Sequence, residues 1–185
     1  MIITISGVPG SGKTTVAKIL SEKLGIPYYS MGGLRAKIAE ERHISLDELN
    51  ALGESDPTTD TSVDDYQREL GKTQDNFIVD GRLSWYFIPN SLKIFLSCDL
   101  DEASKRIYQA RKNTKNREDE PLYQNIDEAR HAIEERVASD VRRYASIYGV
   151  DHRETSHYDL VVDTTHVDGP EAVADILLEK IRNKR

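Results

Sequence analysis

The stretch Gly7-Val8-Pro9-Gly10-Ser11-Gly12-Lys13-Thr14 fits the phosphate-binding pattern G-x-x-x-x-G-K-[ST] at every defined position. Residues 1–6, which precede it, alternate and are rich in β-branched side chains, so they predict a strand. Residues 12–24 carry apolar side chains at helical spacing. A glycine-rich turn between a strand and a helix lets backbone N–H groups point at a phosphate, and the helix N-terminus adds partial positive charge. We therefore predict a nucleotide-phosphate loop.

Individual residues of this loop have expected roles. The backbone N–H groups from about Val8 to Thr14 should face the phosphates of ATP. Lys13 should reach the β- and γ-phosphates, and the Thr14 hydroxyl should bind Mg²⁺. The predicted ATP-binding residues of the loop are Gly7, Val8, Pro9, Gly10, Ser11, Gly12, Lys13, Thr14 and Thr15.

The rest of the chain alternates strand-like and helix-like segments. Further strands are expected at about 27–30, 77–80, 92–97 and 158–162. Further helices are expected at about 33–42, from the capping box at 45–48, and at about 60–72, 100–111, 126–148 and 170–183. Residues 112–124 show no apolar period and predict a loop. Strands that alternate with helices predict an α/β fold of three layers, with a parallel sheet covered on both faces.

Length and composition limit the possible classes of protein. A chain of 185 residues fits one domain, residues 1–185, and its net charge of −7 argues against a general nucleic-acid or membrane binder. No apolar run approaches the roughly 20 residues that span a bilayer. The single cysteine excludes an intrachain disulfide framework and favours a reducing compartment. We expect a cytoplasmic protein that binds small-molecule nucleotides, without an obligate protein partner.

A carboxylate follows the predicted strand at 77–80. Asp80 should lie at the carboxyl edge of the sheet, beside the phosphate loop, where ligands collect in open α/β folds. There it could hold Mg²⁺ directly or through water, or accept a proton from an attacking group. The alternative is an aspartate that caps a helix or a turn.

Arginines outside the loop distinguish possible kinases from other phosphate-loop proteins, because a kinase must also bind an anionic acceptor. Arg35 follows the second predicted strand, and Arg82 follows Asp80 after a glycine that lets the chain turn. Each alone could be an ordinary surface arginine. Since both follow strand carboxyl ends, we interpret them as a clamp for the acceptor phosphate.

A second set of arginines lies on the long predicted helix at 126–148. Arg136, Asp140 and Arg143 share one helical face, so Asp140 can hold the two guanidinium groups in register while they meet phosphates. Arg142 is rotated off that face and is expected to be solvated. The alternative is an ordinary salt-bridged surface helix. Arg111, Lys112, Lys115 and Arg117 precede this helix, as in a closing lid, which we place at 112–136.

These motifs together resemble nucleoside monophosphate kinases, and most closely the short archaeal-type cytidylate kinases. The resemblance covers essentially the whole chain. Besides the phosphate loop and the segment from Ser30 to Arg35, it rests on Asp56-Pro57 with Asp60, Asp64 and Gln67, on Asp80-Gly81-Arg82-Leu83-Ser84, on 92–96, on 136–144, on Tyr148-Gly149 and on 158–161.

The resemblance implies a P-loop kinase fold with a five-stranded parallel sheet, a monophosphate-binding insert at 30–72 and a lid. It implies direct in-line transfer of the γ-phosphoryl group of ATP to CMP or dCMP, with Mg²⁺. By the same resemblance Arg35 and Arg82 hold the acceptor phosphate, with Ser30 and Asp140 beside it. Arg136 and Arg143 reach phosphates of both substrates, and Arg106 packs near the adenine.

The resemblance also places the acceptor base. Asp60, Asp64 and Gln67 become candidates for the base pocket, because the cytosine amino group needs a hydrogen-bond acceptor. The alternative for these three is a solvated helix face. Trp85, Tyr144 and Tyr148 are expected to be packing residues.

Two departures from the family pattern and two other functions remain open. This chain has Ser30-Met31-Gly32-Gly33 where Ser-Thr-Gly-Asp is usual, and residues 113–124 look like an insertion in the lid. A kinase of the same fold for AMP, UMP, dephospho-coenzyme A or a non-nucleotide acceptor is one alternative. A nucleotide-dependent switch is another, although the chain lacks a guanine-specifying Asn/Thr-Lys-x-Asp segment.

Overall fold

The computed structural model describes residues 1–56, 58–113 and 122–184. Five parallel strands form one sheet in the order β2-β3-β1-β4-β5. They are β1 Ile2–Gly7, β2 Tyr28–Ser30, β3 Phe77–Asp80, β4 Leu92–Ser97 and β5 Leu160–Asp163. The expected α/β fold with a five-stranded parallel sheet is therefore confirmed.

Helices cover both faces of this sheet. They are α1 Lys13–Leu24, α2 Met31–Glu41, α3 Leu46–Ser55, α4 Thr58–Thr73, α5 Ser84–Phe87, α6 Leu100–Asn113, α7 Ile126–Tyr148 and α8 Gly169–Asn183, with a 3₁₀ turn at Thr155–His157. Successive side chains of a strand point to opposite faces. Accordingly, Ile78 packs in a core with α1 and α8, whereas Phe77 and Val79 pack in a second core with α4 and α5.

Local sequence signals explain where several helices begin. Ser45 and Glu48 form the predicted capping box at the start of α3. The Ser30 hydroxyl accepts a hydrogen bond from the Gly33 N–H, so α2 begins at Met31 rather than near residue 33. No helix in the described part of the chain combines the length and the apolar composition that crossing a bilayer requires.

The central position of β1 places the glycine-rich loop in the middle of the sheet's carboxyl edge. Register pairs Ile5 with Asp80 on one side and Gly7 with Leu96 on the other. Ser30, the last residue of β2, is opposite Asp80. The ends of β1, β2 and β3 therefore bring three predicted site segments together.

Candidate active site

The glycine-rich loop has the backbone conformation that its glycines allow. Gly10 and Gly12 have φ values of 78° and 83°, in the left-handed region that side chains disfavour. A Cβ atom on Gly10 would also lie 2.8 Å from Cα of Ala103 on α6. Gly12 is the N-cap of α1, and Lys13, Thr14 and Thr15 form its first turn, whose N–H groups have no intrahelical acceptor.

One detail of the predicted phosphate cradle is wrong. The Val8 N–H donates to the Leu96 carbonyl at 3.2 Å, and the Ser11 N–H donates to the Val8 carbonyl at 3.3 Å. These two groups close the loop onto β4 and onto itself, and Pro9 has no N–H. The donors left for a phosphate are therefore concentrated from Gly12 onwards, at the helix N-terminus.

Lys13 lies among charged groups from two other predicted site segments, the end of β3 and helix α7. Its pKa is lowered to about 7, chiefly by burial and then by the positive charge of Arg82; Arg136 lowers it as well, whereas Asp80 and Asp140 oppose the shift. The structure thus brings these five side chains near one another. Because positive charge exceeds negative charge around Lys13, an anion bound there would be stabilised.

Thr14 and Asp80 meet at the sheet edge as expected for a magnesium site. The Thr14 hydroxyl donates to Asp80 Oδ2 at 2.6 Å. The Tyr28 hydroxyl, which the sequence reasoning did not single out, donates to Asp80 Oδ1 at 3.1 Å. A hydroxyl and a carboxylate beside a phosphate loop fit the hard-oxygen coordination of Mg²⁺, which typically adds phosphate oxygens and water. The described residues contain no cluster of three or more His, Cys, Asp or Glu side chains that could hold a metal without substrate.

Three arginines and two aspartates form a continuous buried network, which we call the arginine network: Arg35, Asp60, Arg143, Asp140 and Arg82. Arg35 Nη1 donates to Asp60 Oδ1 at 2.5 Å, and Arg143 Nε lies 3.4 Å from Asp60 Oδ2. Arg143 Nη2 donates to Asp140 Oδ1 at 2.9 Å, and Arg82 Nε donates to Asp140 Oδ2. The expected pairing of Asp140 with Arg143 is therefore present, but the second arginine that Asp140 holds is Arg82 and not the expected Arg136.

The electrostatics of the arginine network favour full ionisation of Asp140. Burial alone would favour its protonated form, but the charges of Arg82, Arg143 and Arg136 hold its pKa down at about 2. Burial alone would lower the pKa of Arg143, but Tyr144, Asp140 and Asp60 raise it overall. Since Arg143 is only 3% exposed, an ordinary surface salt-bridge pattern does not describe this helix face.

Helix α3 closes over the arginine network through Asn50 and Gly53. Arg35 Nε donates to Asn50 Oδ1 at 2.8 Å, and Arg143 Nη1 donates to the Asn50 carbonyl at 3.3 Å. A Cβ atom on Gly53 would lie 3.0 Å from Arg143 Cδ. No local pattern points to Asn50, because its partners are 15 and 93 residues away.

Arg136 differs from the other three arginines. It is half-buried and makes no hydrogen bond or ion pair to any residue within the described ranges. It borders a cavity of about 490 Å³ between the phosphate loop, α3 and α7, whose lining includes Pro9, Asn50 and Asp140. Its guanidinium group is thus available to a ligand. Arg142 is solvated as expected, with its side chain 62% exposed, and it also pairs with Glu54 of α3 at 3.0 Å.

Asp60, Asp64 and Gln67 form a buried polar row on one face of α4. The alternative of a solvated helix face is therefore wrong. Asp60 pairs with Arg35 and Arg143, Asp64 accepts a hydrogen bond from the Tyr148 hydroxyl, and Gln67 Oε1 accepts one from Ser84 Oγ at 2.7 Å.

Arg106 lies on the far side of the phosphate loop from this row. Its guanidinium group donates to the Thr164 hydroxyl and to the carbonyls of Thr164 and Thr165, after β5, at 2.8–3.2 Å. The Thr164 hydroxyl is also 3.3 Å from the Ser11 carbonyl. The predicted adenine-side residue thus lies beside the loop.

Several aromatic residues expected only to pack also make polar contacts. The Tyr144 hydroxyl accepts a hydrogen bond from Arg143 at 3.1 Å, and the Trp85 N–H donates to the Arg82 carbonyl at 3.1 Å. Tyr148 donates to Asp64. Of the predicted basic residues of the lid, Arg111 and Lys112 are part of α6, and Lys115 and Arg117 lie outside the described residues, as do Pro57 and most of the predicted insertion at 113–124.

A glycine-rich loop after the central strand of a parallel sheet, faced by arginines from α2, α7 and the end of β3, defines a P-loop kinase. Comparison with known sequences makes the assignment more specific. The family model described as "Cytidylate kinase-like family" matches residues 2–166, so the chain belongs to the cytidylate kinase-like family.

Similar proteins cover nearly the whole chain. The cytidylate kinase of Methanobrevibacter smithii is 38% identical over 182 residues, which span 98% of this chain and 99% of that protein. The cytidylate kinase of Methanocella arvoryzae is 39% identical over 181 residues, which span 98% of this chain and 97% of that protein. The resemblance found in the sequence is therefore confirmed.

Solved structures show the same fold at low sequence identity. An uncharacterized protein from Eubacterium ventriosum superposes with a TM-score of 0.70 at 19% identity, with 98% of each chain covered. Shikimate kinase from Aquifex aeolicus superposes with a TM-score of 0.60 at 18% identity, covering 100% of this chain and 98% of that one. These likenesses support the fold alone.

Proposed function

We propose that this chain transfers the γ-phosphoryl group of ATP to CMP or dCMP and so produces ADP and CDP or dCDP. The observation that carries the proposal is the arginine network next to the phosphate loop, since it offers a second anion-binding site beside the first. Family membership and relatives named cytidylate kinase over nearly their full length support this acceptor.

The phosphate loop and its surroundings supply the ATP site. The first turn of α1 and Lys13 bind the β- and γ-phosphates, and Arg106 lies on the side where the adenine packs. Thr14 and Asp80 would hold Mg²⁺, and the hydrogen bond from Tyr28 would fix the orientation of the carboxylate. When bound, Mg²⁺ supplies charge neutralisation between the β- and γ-phosphates.

The acceptor site begins at the carboxyl ends of β2 and β3. Arg35 and Arg82 bind the acceptor phosphate, with Ser30 beside them. Asp140 and Asp60 hold the guanidinium groups in place, so Asp60 acts on the phosphate clamp rather than on the base. Asp64 and Gln67, farther along α4, face the cytosine, whose amino group is a hydrogen-bond donor.

The chemical step needs little beyond positioning and charge stabilisation. A phosphate monoester has a second pKa of about 6, so the attacking oxygen is already an anion at neutral pH and no general base is required. Lys13, Arg82, Arg136 and Arg143 share the negative charge of the in-line transition state. The insert at 30–72 and the lid at 112–136 close over the substrates and exclude water.

Initial rates with ATP and a panel of acceptors test this function. We expect kcat/KM to be highest for CMP and dCMP, and much lower for UMP, AMP and dephospho-coenzyme A. Lys13→Met should abolish the transfer, whereas Lys18→Met, on the exposed side of the same helix, should leave it intact. A preference for another acceptor, or ATP hydrolysis that does not depend on an acceptor, would contradict the proposal.

A further inference from the structure

The pair formed by Asp64 and Tyr148 joins the acceptor insert to the end of the long helix. Tyr148 is the last residue of α7, and its hydroxyl donates to Asp64 Oδ2 on α4. Asp64 is only 8% exposed. With Oδ2 occupied by Tyr148, Oδ1 is the oxygen left to contact a ligand.

The position of Asp64 on α4 relates it to the arginine network. Asp60 pairs with Arg35 and Arg143 one helical turn earlier. Four residues of α-helix rise about 6 Å, so Asp64 lies about one sugar ring's length beyond the phosphate clamp. If the acceptor phosphate lies at the clamp, as the proposed function requires, its base lies along this row.

We propose that Tyr148 is a specificity-determining residue that acts through Asp64. Its hydroxyl keeps the Asp64 carboxyl group ionised, and the ionised group accepts a hydrogen bond from a base amino group but repels a base carbonyl at the same position. The 4-position carries an amino group in cytosine and a carbonyl oxygen in uracil. The pair of Asp64 and Tyr148 thus favours cytosine over uracil. A protonated Asp64 would lose this discrimination, because its O–H could donate to a carbonyl.

The surroundings of Asp64 make its ionisation sensitive to this single hydrogen bond. Burial raises its pKa, the Tyr148 hydrogen bond lowers it, and the result is about 6. On α4, Asp60 and Asp65 raise this pKa and Arg68 lowers it. From α7, the second ionisable group near the pair is Tyr144, whose ring centroid lies 6.2 Å from that of Tyr148.

Tyr148→Phe removes the hydrogen bond while it keeps the ring that packs on Phe87. The pKa of Asp64 should then rise. A rise of about one pH unit would take its protonated fraction at pH 7 from about one tenth to about one half. We expect the ratio of kcat/KM for CMP to kcat/KM for UMP to fall about fivefold at pH 7, and to regain the wild-type pH 7 value at about pH 8, where the protonated fraction of the variant is again about one tenth.

Two further variants separate this effect from loss of packing. Asp64→Asn, which cannot ionise, should show the reduced ratio from about pH 5.5 to about pH 8.5. Tyr66→Phe, an exposed tyrosine on the same helix, should keep the wild-type ratio throughout. The free energy of unfolding of each variant, measured by urea denaturation, shows whether it is folded.

The outcomes distinguish this inference from the proposed function. An unchanged ratio in Tyr148→Phe, or a fall that is equal at every pH, would overturn the inference while CMP kinase activity stands. If Tyr148→Phe does not fold, Asp64→Asn decides, and a wild-type preference for CMP in that variant would overturn the inference. Absence of CMP phosphorylation by the wild-type protein would instead refute the proposed function.

Discussion

Replacing Arg143 with alanine should damage both stability and catalysis, because its guanidinium group supports two buried carboxylates. The side chain pairs with Asp60 and Asp140 and also bonds to the Tyr144 hydroxyl. Breaking a buried ion pair by removing one partner costs about 3–5 kcal/mol. Asp60 keeps Arg35 and Asp140 keeps Arg82, so neither carboxylate is stranded and we expect the lower end, about 3 kcal/mol.

Arg136→Ala is the matched control, since it removes the same charge from the same helix. Arg136 has no ion pair within the described ranges, so its loss should change the free energy of unfolding by no more than about 0.5 kcal/mol. Both variants should lower kcat for CMP phosphorylation by about 10³-fold, because arginines that stabilise transferring phosphoryl groups contribute about that much.

The measurement combines urea denaturation, followed by the fluorescence of Trp85, the single tryptophan, with coupled assays of ADP formation. Kinetics are to be compared below the urea concentrations at which either variant unfolds. Equal stability of the two variants would refute the structural role assigned to Arg143. Wild-type turnover in Arg136→Ala would refute its assignment to the transferring phosphoryl group.

Three other substitutions test separate parts of the structure. Gly10→Ala places a Cβ atom 2.8 Å from Ala103 at a positive φ, so ATP affinity by calorimetry should fall at least about tenfold; unchanged affinity would contradict the close approach. Ser45→Ala removes a helix cap and should lower the free energy of unfolding by about 1 kcal/mol, while unaltered CMP kinetics are expected. Asp140 has a pKa of about 2 in the folded state, below its value in the unfolded state. The contribution of its ionised form to the free energy of unfolding is therefore complete above about pH 4 and is lost as the pH falls through about 2. Urea denaturation should show about 2 kcal/mol of stability lost over that window, and Asp140→Asn should lack this loss; an identical pH profile for variant and wild type would argue against it.

Periodicity was sufficient to predict the regular elements of the fold. Strand β1, the glycine turn and α1 follow from local pattern alone, and so do β3, β4 and α7. Helix α5 was not predicted, because four residues are too short to show a period. It begins after Gly81, where an added Cβ atom would lie 2.3 Å from the Ser84 hydroxyl and 3.0 Å from Met31 Cγ, so both the turn itself and its packing on α2 require a glycine.

The side chains of the site were predictable only where a motif or a strand end placed them. Arg35 and Arg82 follow strands β2 and β3, and parallel strands end at the same edge of the sheet. The pairing of Asp60 with Arg35, 25 residues away, was not predicted, because no local spacing encodes it. Rotation about α7 correctly predicted that Arg142 is solvated, but it could not reveal that Glu54 approaches from α3 and pairs with it.

The balance of charge in this site explains why so many arginines can be tolerated before substrate arrives. Arg35, Arg82 and Arg143 are each held by Asp60 or Asp140, so their side chains are already ordered and a phosphate need not order them. Within the described ranges Lys13 and Arg136 have no such carboxylate partner, and the pKa of Lys13 is lowered first by burial and then by the positive charge of Arg82. Two phosphate-bearing substrates would bring the negative charge that balances this excess of positive charge. Aspartates that completely neutralised the cluster would have stabilised the empty protein, but they would also have competed with the phosphates for every guanidinium group.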